Sequence, residues 1–311
     1  MQRQRVKNQH YVPQSCLRRH TQDGKTIYAY DKPSRRAFPR NIDEVASESG
    51  FYDLSPKFAK DFQVVEKWLC KVEGEAASAI DHLVACLDNA HAFNQKDHAL
   101  RVMIATFLAI QHSRTALARQ TQTERRELLV EELKARGIEV PAELLNVPEE
   151  RVRFQHCRLI LDQDYFKQCA KILFNHIWLV GQNDTSQPLY ISDAPVTLYP
   201  HAEPANPFSG VGFMTKGVEI NFPISPKYVL MLCERTHFAQ LYARFEGRVT
   251  RLNAENVTFY NGLQVWSSRR QVYCIENRFD QVRAYEEKQP DLFNANRARV
   301  EIIGGVSKHR T

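Results

Sequence analysis

Four residues, far apart in the chain, carry side chains that a phosphodiester-acting site uses: His10, Glu73, Arg114 and Asp193. An imidazole titrates near neutrality and suits general acid–base work. A guanidinium presents a fork of donors that matches a phosphate. Two carboxylates could hold a divalent metal or orient the histidine. The histidine lies in RVKNQHYVPQSCLRRH (residues 5–20), among hydrogen-bonding neighbours that include Asn8, Gln9, Tyr11 and Gln14. Asn8, Tyr11 and Gln111 are the candidates for holding a substrate.

Register singles out the other members. In the helix expected after Asn94, Leu100, Ile104 and Phe107 form an apolar stripe, and Gln111 and Arg114 continue it at helical spacing. A guanidinium on a core-facing stripe needs partners, because an unpaired buried charge is costly. It could be an anion clamp or half of an internal salt bridge. Glu73 is in register on the preceding helix, and could pair with Arg114 structurally or serve as metal ligand or base. Asp193 sits where a strand ends in YISDAPVTLYP (residues 190–200), a place where rigid scaffolds often present functional groups. It could equally cap the backbone as an Asx-turn.

The elements that must position these residues fall into three blocks. Residues 1–59 read as a basic segment with a β-hairpin: TIYAYD is a strand, DKPS a turn and RRAFPR the returning strand. Phe51-Tyr52 reads as a further extended piece. Residues 60–180 read as helical. Val65, Leu69, Val72, Ala76, Ile80, Leu83 and Leu87 mark one helical face. Asp97 falls in the first turn of the next helix, and TQTERRELLVEELKARG continues it or forms a third, closed by Gly137. Helices are also expected over residues 149–157 and 164–174. Residues 181–311 read as β-rich: HIWLVG, which straddles the boundary, PLYISD, VEINFPIS and YVLMLCE are strand-like runs. YPHAEPANPFSGVGFMTKG (residues 199–217) is a long Pro/Gly loop. A helix follows over residues 254–268, QVYCIE is a short strand or a continuation of that helix, and the polar tail after Gln289 is expected to fray. Segregated blocks of this kind predict an α+β fold in one compact domain, with a mostly antiparallel C-terminal sheet and a following helix.

Bulk properties narrow the function classes. The chain has 311 residues, of which 43% are hydrophobic, enough for a large core. No run approaches the roughly 20 apolar residues of a membrane helix, and no signal-peptide pattern is read, so a membrane is not expected as a partner. Seven scattered cysteines without a CxxC pair suit a reducing cytoplasm. The net charge is +6, yet residues 1–40 alone carry +8, so the rest of the chain is slightly acidic. A localised basic patch suits phosphates, hence nucleic acid or a nucleotide. P-loop, GxGxxG, GxSxG and HExxH motifs do not occur in the sequence.

Six segments follow in order: NQHYVPQ (8–14), IYAYDK (27–32), VASESGFYDL (45–54), SRT (113–115), SDAPV (192–196) and FPISPKYVLML (222–232). Together they resemble the bacterial domain of unknown function 4238 family over most of the chain. Where aromatics commonly follow the opening motif, this chain has SCLRRH, with Cys16 and His20. The resemblance adds weight to His10, Arg114 and Asp193, which lie within the matching segments, and implies no chemistry for them. The expectation is therefore a phosphodiester- or nucleotide-acting hydrolase, nuclease-like, using His10, Glu73, Arg114 and Asp193, with a divalent metal as its conceivable cofactor. The alternative is a non-catalytic nucleic-acid- or protein-binding module whose polar cluster is architectural. The sequence leaves substrate, metal and oligomeric state open.

Overall fold

A computed structural model of the chain describes residues 5–90, 97–202, 211–294, 297–303 and 306–309. Its elements follow the α+β order expected from the sequence. The N-terminal segment holds β1 (Asn8–His10), α1 (Gln14–Arg18), β2 (Thr26–Asp31), β3 (Arg36–Asn41) and β4 (Ser47–Ser49). The helical block is α2 (Val64–Ala90), α3 (His98–Ser113), α4 (Ala116–Ala135), α5 (Glu149–Ile160) and α6 (Gln163–Phe174). The β-rich part begins with β5 (Ile177–Asn183), β6 (Ile191–Ser192), β7 (Thr197–Pro200), β8 (Val218–Pro223) and β9 (Tyr228–Cys233). It continues through α7 (Ala239–Phe245), β10 (Val249–Leu252), α8 (Ala254–Ser267), β11 (Gln271–Cys274) and α9 (Asp280–Lys288). β12 (Val300–Ile303) and β13 (Val306–His309) close it.

Local chemistry sets most helix ends. Asp97 caps α3 by accepting from the Leu100 N–H at 3.0 Å, so it stands just outside the helix rather than in its first turn. Thr115 caps α4 through Ala118 N–H at 3.1 Å, which makes α4 a separate helix and not a continuation of α3. Gly137, at φ +68°, follows the end of α4. Asn253 and Asn256 form a reciprocal capping box on α8.

The strands form a five-stranded sheet in the order β10-β5-β9-β8-β7, antiparallel apart from the β10–β5 pair. One face, with Trp178, Val180, Ile220, Phe222, Leu230 and Leu232, joins the core against α2, α3 and α6. The opposite face, with Ile177, Leu179, Val229 and Met231, is covered by Val257 and Tyr260 of α8. Both faces of β9 are buried, hence its near-continuous apolar sequence.

The expected hairpin is present as β2–β3, but it belongs to a four-stranded sheet, β3-β2-β11-β6. QVYC is thus a strand, paired with the first block of the chain rather than continuing α8. Phe51 and Tyr52 are not extended. They follow β4 through a turn that needs Gly50 at φ +61°. The tail is more ordered than expected. Residues Pro290–Phe293 form a 3-10 turn, and β12 pairs with β13. Glu124 of α4 anchors β12 by accepting from the backbone N–H groups of Arg299 and Val300 at 2.6 and 3.1 Å. The centre of the Pro/Gly loop, residues 203–210, lies outside the described residues. Among the described residues no helix is long and apolar enough to cross a membrane.

Gly181 of β5 lies where three strands crowd. A Cβ there would stand 2.7 Å from Leu252 Cδ2 and 2.9 Å from Val229 Cγ1. Gly181→Ala is expected to destabilise the fold by about 1–3 kcal/mol through overpacking, read as a lower urea midpoint with an unchanged slope.

Candidate functional site

The structure brings five of the seven sequence candidates into one hydrogen-bonded cluster. Arg114, at the α3–α4 junction, is fully buried. Its Nη1 donates to Glu73 of α2 at 2.5 Å, its Nη2 donates to the carbonyl oxygen of His10, and its Nε donates to the Tyr52 hydroxyl at 3.2 Å. That hydroxyl in turn donates to the carbonyl of Arg114 itself at 2.8 Å. Gln111, one helical turn earlier, donates from Nε2 to the Tyr11 carbonyl at 2.8 Å. The Tyr11 ring packs 5.3 Å from that of Phe51.

His10 contributes mainly its backbone. Its half-buried ring places Nε2 3.1 Å from the Ile42 carbonyl. Burial lowers its pKa below the ordinary value, opposed by that carbonyl and by Glu73. Asn8 is exposed and pairs with Ser49 across β1–β4.

Asp193 belongs to a second cluster. It is buried at the turn from α8 into β11, and accepts from the backbone N–H groups of Arg269, Arg270 and Gln271 at 2.7–2.9 Å. Three N–H bonds saturate much of a carboxylate's acceptor capacity, so this arrangement clamps backbone. Among the described residues, no group of three or more His, Cys, Asp and Glu is placed to hold a metal ion.

Several residues that the sequence reading passed over complete the two clusters. Gln9 is fully buried. Its Oε1 accepts from Tyr52 N–H at 2.5 Å, and its Nε2 donates to Asp53 at 2.6 Å. Asp53 also accepts from Gln63 and Arg5, both at 2.9 Å. Arg119 of α4 donates to the Phe51 carbonyl at 2.8 Å, and its guanidinium lies 3.6 Å from the centre of the Phe51 ring. It also donates to His156 Nδ1 at 3.3 Å, while His156 Nε2 donates to the Ser113 carbonyl at 2.9 Å. Accepting at Nδ1 requires a neutral imidazole, in keeping with a pKa pushed down to about 3 by burial and by Arg119. His156 was detectable, because Val152, His156 and Ile160 share one helical register and a polar group interrupts the stripe.

Two buried cations sit at the C-terminal end of α8. Lys32 Nζ donates to the carbonyls of Val265 and Ser268 at 2.5 and 3.1 Å. Arg299 donates to those of Trp266 and Ser268 at 3.0 and 2.8 Å. Carbonyls at a helix end carry partial negative charge and suit such partners. Burial lowers the pKa of both, that of Arg299 to about 10, with Asp193 opposing the shift in each case. Nothing in the local sequence around Lys32 or Arg299 marks either as buried.

Between the two clusters lies a cleft of about 330 Å³. Ser113, Thr115 and Ala118 form one wall, and Ala194, Val196 and Thr197 another. Trp266, Ser267 and Arg299 lie at the end of α8, and the exposed Arg125 stands on the α4 side. The SRT and SDAPV segments therefore face each other across one opening. A second groove, of about 360 Å³, runs along Val6, Gln63, Glu66 and Cys70.

A family model described as Protein of unknown function (DUF4238) matches residues 8–276. The chain belongs to that family. No curated protein and no solved structure matches it. The segments that carry the DUF4238 resemblance are largely those the clusters tie together. NQHY, GFYDL and SRT meet at Arg114, and SDAPV meets the α8–β11 turn.

Two outcomes follow from the geometry of this DUF4238 chain. Arg114→Ala leaves Glu73, Tyr52 and the His10 carbonyl without their partner, and is expected to cost about 3–5 kcal/mol of stability. Urea denaturation checks this, and an unchanged midpoint would contradict an architectural guanidinium. Glu66 is the pH-sensitive group in the groove. Burial raises its pKa from 4.5 to about 7, and its Oε2 has no hydrogen-bond partner among the described residues. A raised folded-state pKa gives stability that is full below pH 4.5 and lost as pH rises through about 7. Glu66→Gln should therefore gain on the wild type between pH 4.5 and 7 and hold a constant advantage above, measured by midpoints at pH 5 and pH 8.

Proposed function

We propose that this chain binds a small phosphorylated ligand of the nucleotide class in the cleft between the α3–α4 junction, the SDAPV segment and the end of α8. The observation that carries the reading is the composition of that cleft. Its walls are apolar and hydroxyl-bearing, while one guanidinium, Arg299, is built into the wall and another, Arg125, stands exposed on the α4 side. A largely apolar cavity with a few convergent polar groups is the usual form of a small-molecule site. Guanidinium groups suit phosphate oxygens, and Trp266 offers an aromatic surface.

The charge distribution supports a small ligand over an extended strand. Of the basic side chains in residues 1–40, Arg5, Arg19, Arg35 and Arg40 pair with Asp53, Asp81, Glu286 and Glu44, and Lys32 is buried. Much of the N-terminal positive charge is thus met by the acidic remainder of the chain. Hydrolysis of a phosphodiester by His10, Glu73, Arg114 and Asp193 would need those groups to face a substrate. Their hydrogen bonds run to one another and to the backbone, which supports binding over catalysis. Seven free cysteines, five of them buried, suit a reducing cytoplasm.

Isothermal titration with uridine 5′-monophosphate tests the reading. Saturable binding is expected, weakened by about tenfold or more in Arg125→Glu through charge reversal at the cleft. It should be lost when Leu117→Trp fills the space. Absence of binding at millimolar ligand, or equal binding by Leu117→Trp, would overturn it.

A further inference from the structure

The polar side chains in the first half of α4 divide into two sets. Those turned toward the rest of the fold are matched. Arg119 donates to the Phe51 carbonyl at 2.8 Å, and Gln120 donates to Glu124 at 2.7 Å and accepts from Arg269 Nε at 3.1 Å. The Thr123 hydroxyl donates to the Arg119 carbonyl at 3.2 Å, and Glu124 accepts from the backbone of β12 at 2.6 and 3.1 Å.

Thr121 and Gln122 form the other set. Both line the cleft and are half-buried there. The Thr121 hydroxyl and the Gln122 carboxamide have no hydrogen-bond partner among the described residues. With Ala118 and Arg125, which also line the cleft, they fall at i, i+3, i+4 and i+7, the spacing of one helical stripe. The stripe therefore presents a hydroxyl, a carboxamide and a guanidinium in turn along a cavity that Val196, Leu198 and Leu263 make largely apolar. The first two are accessible and unengaged, so a ligand can reach them without breaking any bond of the fold.

We infer that Thr121 and Gln122 recognise the ribose of the ligand through its adjacent 2′- and 3′-hydroxyls, and so select ribonucleotides over deoxyribonucleotides. The inference rests on the cleft being a nucleotide site. A carboxamide both donates and accepts, and a threonine hydroxyl does the same, so the pair can meet two neighbouring hydroxyls of like character. Spacing orients the ligand. Thr121 and Gln122 stand one helical turn from Arg125, where Cβ atoms are about 5–6 Å apart. The hydroxyls of a ribose lie at a comparable distance from its 5′-phosphate. With the phosphate at Arg125, the sugar falls on Thr121 and Gln122. The base is then carried past Ala118 toward the start of α4, where the Phe213 ring packs 5.2 Å from that of His112 at the cleft wall.

The test compares uridine 5′-monophosphate with 2′-deoxyuridine 5′-monophosphate on the full chain and on Thr121→Val and Gln122→Leu, by isothermal titration. The wild type should prefer the ribonucleotide by about fivefold or more, the effect of one hydrogen bond, and each variant should lose that preference. Equal binding of the two nucleotides by the wild type, or a preference kept in full by either variant, would overturn the inference and leave the cleft reading intact. No binding of either nucleotide to the wild type would overturn both. Melting without ligand supplies an independent reading. Neither side chain is engaged within the fold, so both variants should melt with the wild type. A clear fall in either would show that side chain bonded in the free protein, and would equally overturn the assignment.

Discussion

The guanidinium of Arg114 is the constraint on which the N-terminal half is arranged. It is buried with one ionic partner, Glu73, and two neutral ones, the His10 carbonyl and the Tyr52 hydroxyl. A charge removed from water is tolerable only when its donors are met. Three segments far apart in sequence are therefore held at fixed positions around one planar group. The surrounding groups extend the constraint. Gln9 and Asp53 lock the turn that carries Tyr52, and Arg119 and His156 lock the start of α4 against that same turn. The direction in which α4 begins is set by this arrangement, and with it one wall of the cleft.

The opposite wall is set by a clamp of complementary sign. Asp193 collects backbone N–H groups as the chain turns from α8 into β11, while Lys32 and Arg299 collect the carbonyls at the end of α8. The Asp193 carboxylate partly offsets the two cations, and together they fix both sides of one turn. The cleft is thus bounded by two rigid assemblies rather than by loops alone, which favours a pre-formed site.

Much of this was legible in the sequence where it depended on local periodicity. The apolar stripe of α2 and the stripe of α3 ending at Gln111 and Arg114 gave the helices, their facing sides and the Glu73–Arg114 pairing. Asp193 was singled out by its place at a strand end, but its partners were not legible, because an Asx-turn is local whereas its bonds run to the backbone of Arg269, Arg270 and Gln271. Gln9 was not legible, because it is buried by the partner of a three-residue strand, and so short a run has no usable alternation. Lys32 and Arg299 were illegible for a related reason. Their burial is decided by the end of a helix that each meets only in three dimensions. The cleft likewise exists only once β7, α4 and α8 have come together.

The pairing of β2 with β11 has a consequence for synthesis. Residues 26–31 emerge from the ribosome well before residues 271–274 exist, and translation advances by about 5–20 residues per second. The first hairpin therefore spends on the order of ten seconds or more with the edge of β2 unpaired, including Ile27 and Ala29, which are fully buried in the finished fold. Closing so long a loop also makes this a late and slow step in folding. Lysine and arginine are dense in this segment, and exposed charge beside an open strand edge opposes edge-to-edge association. The basic character of the first forty residues thus gives the nascent chain protection at the stage when it most lacks its partner strand.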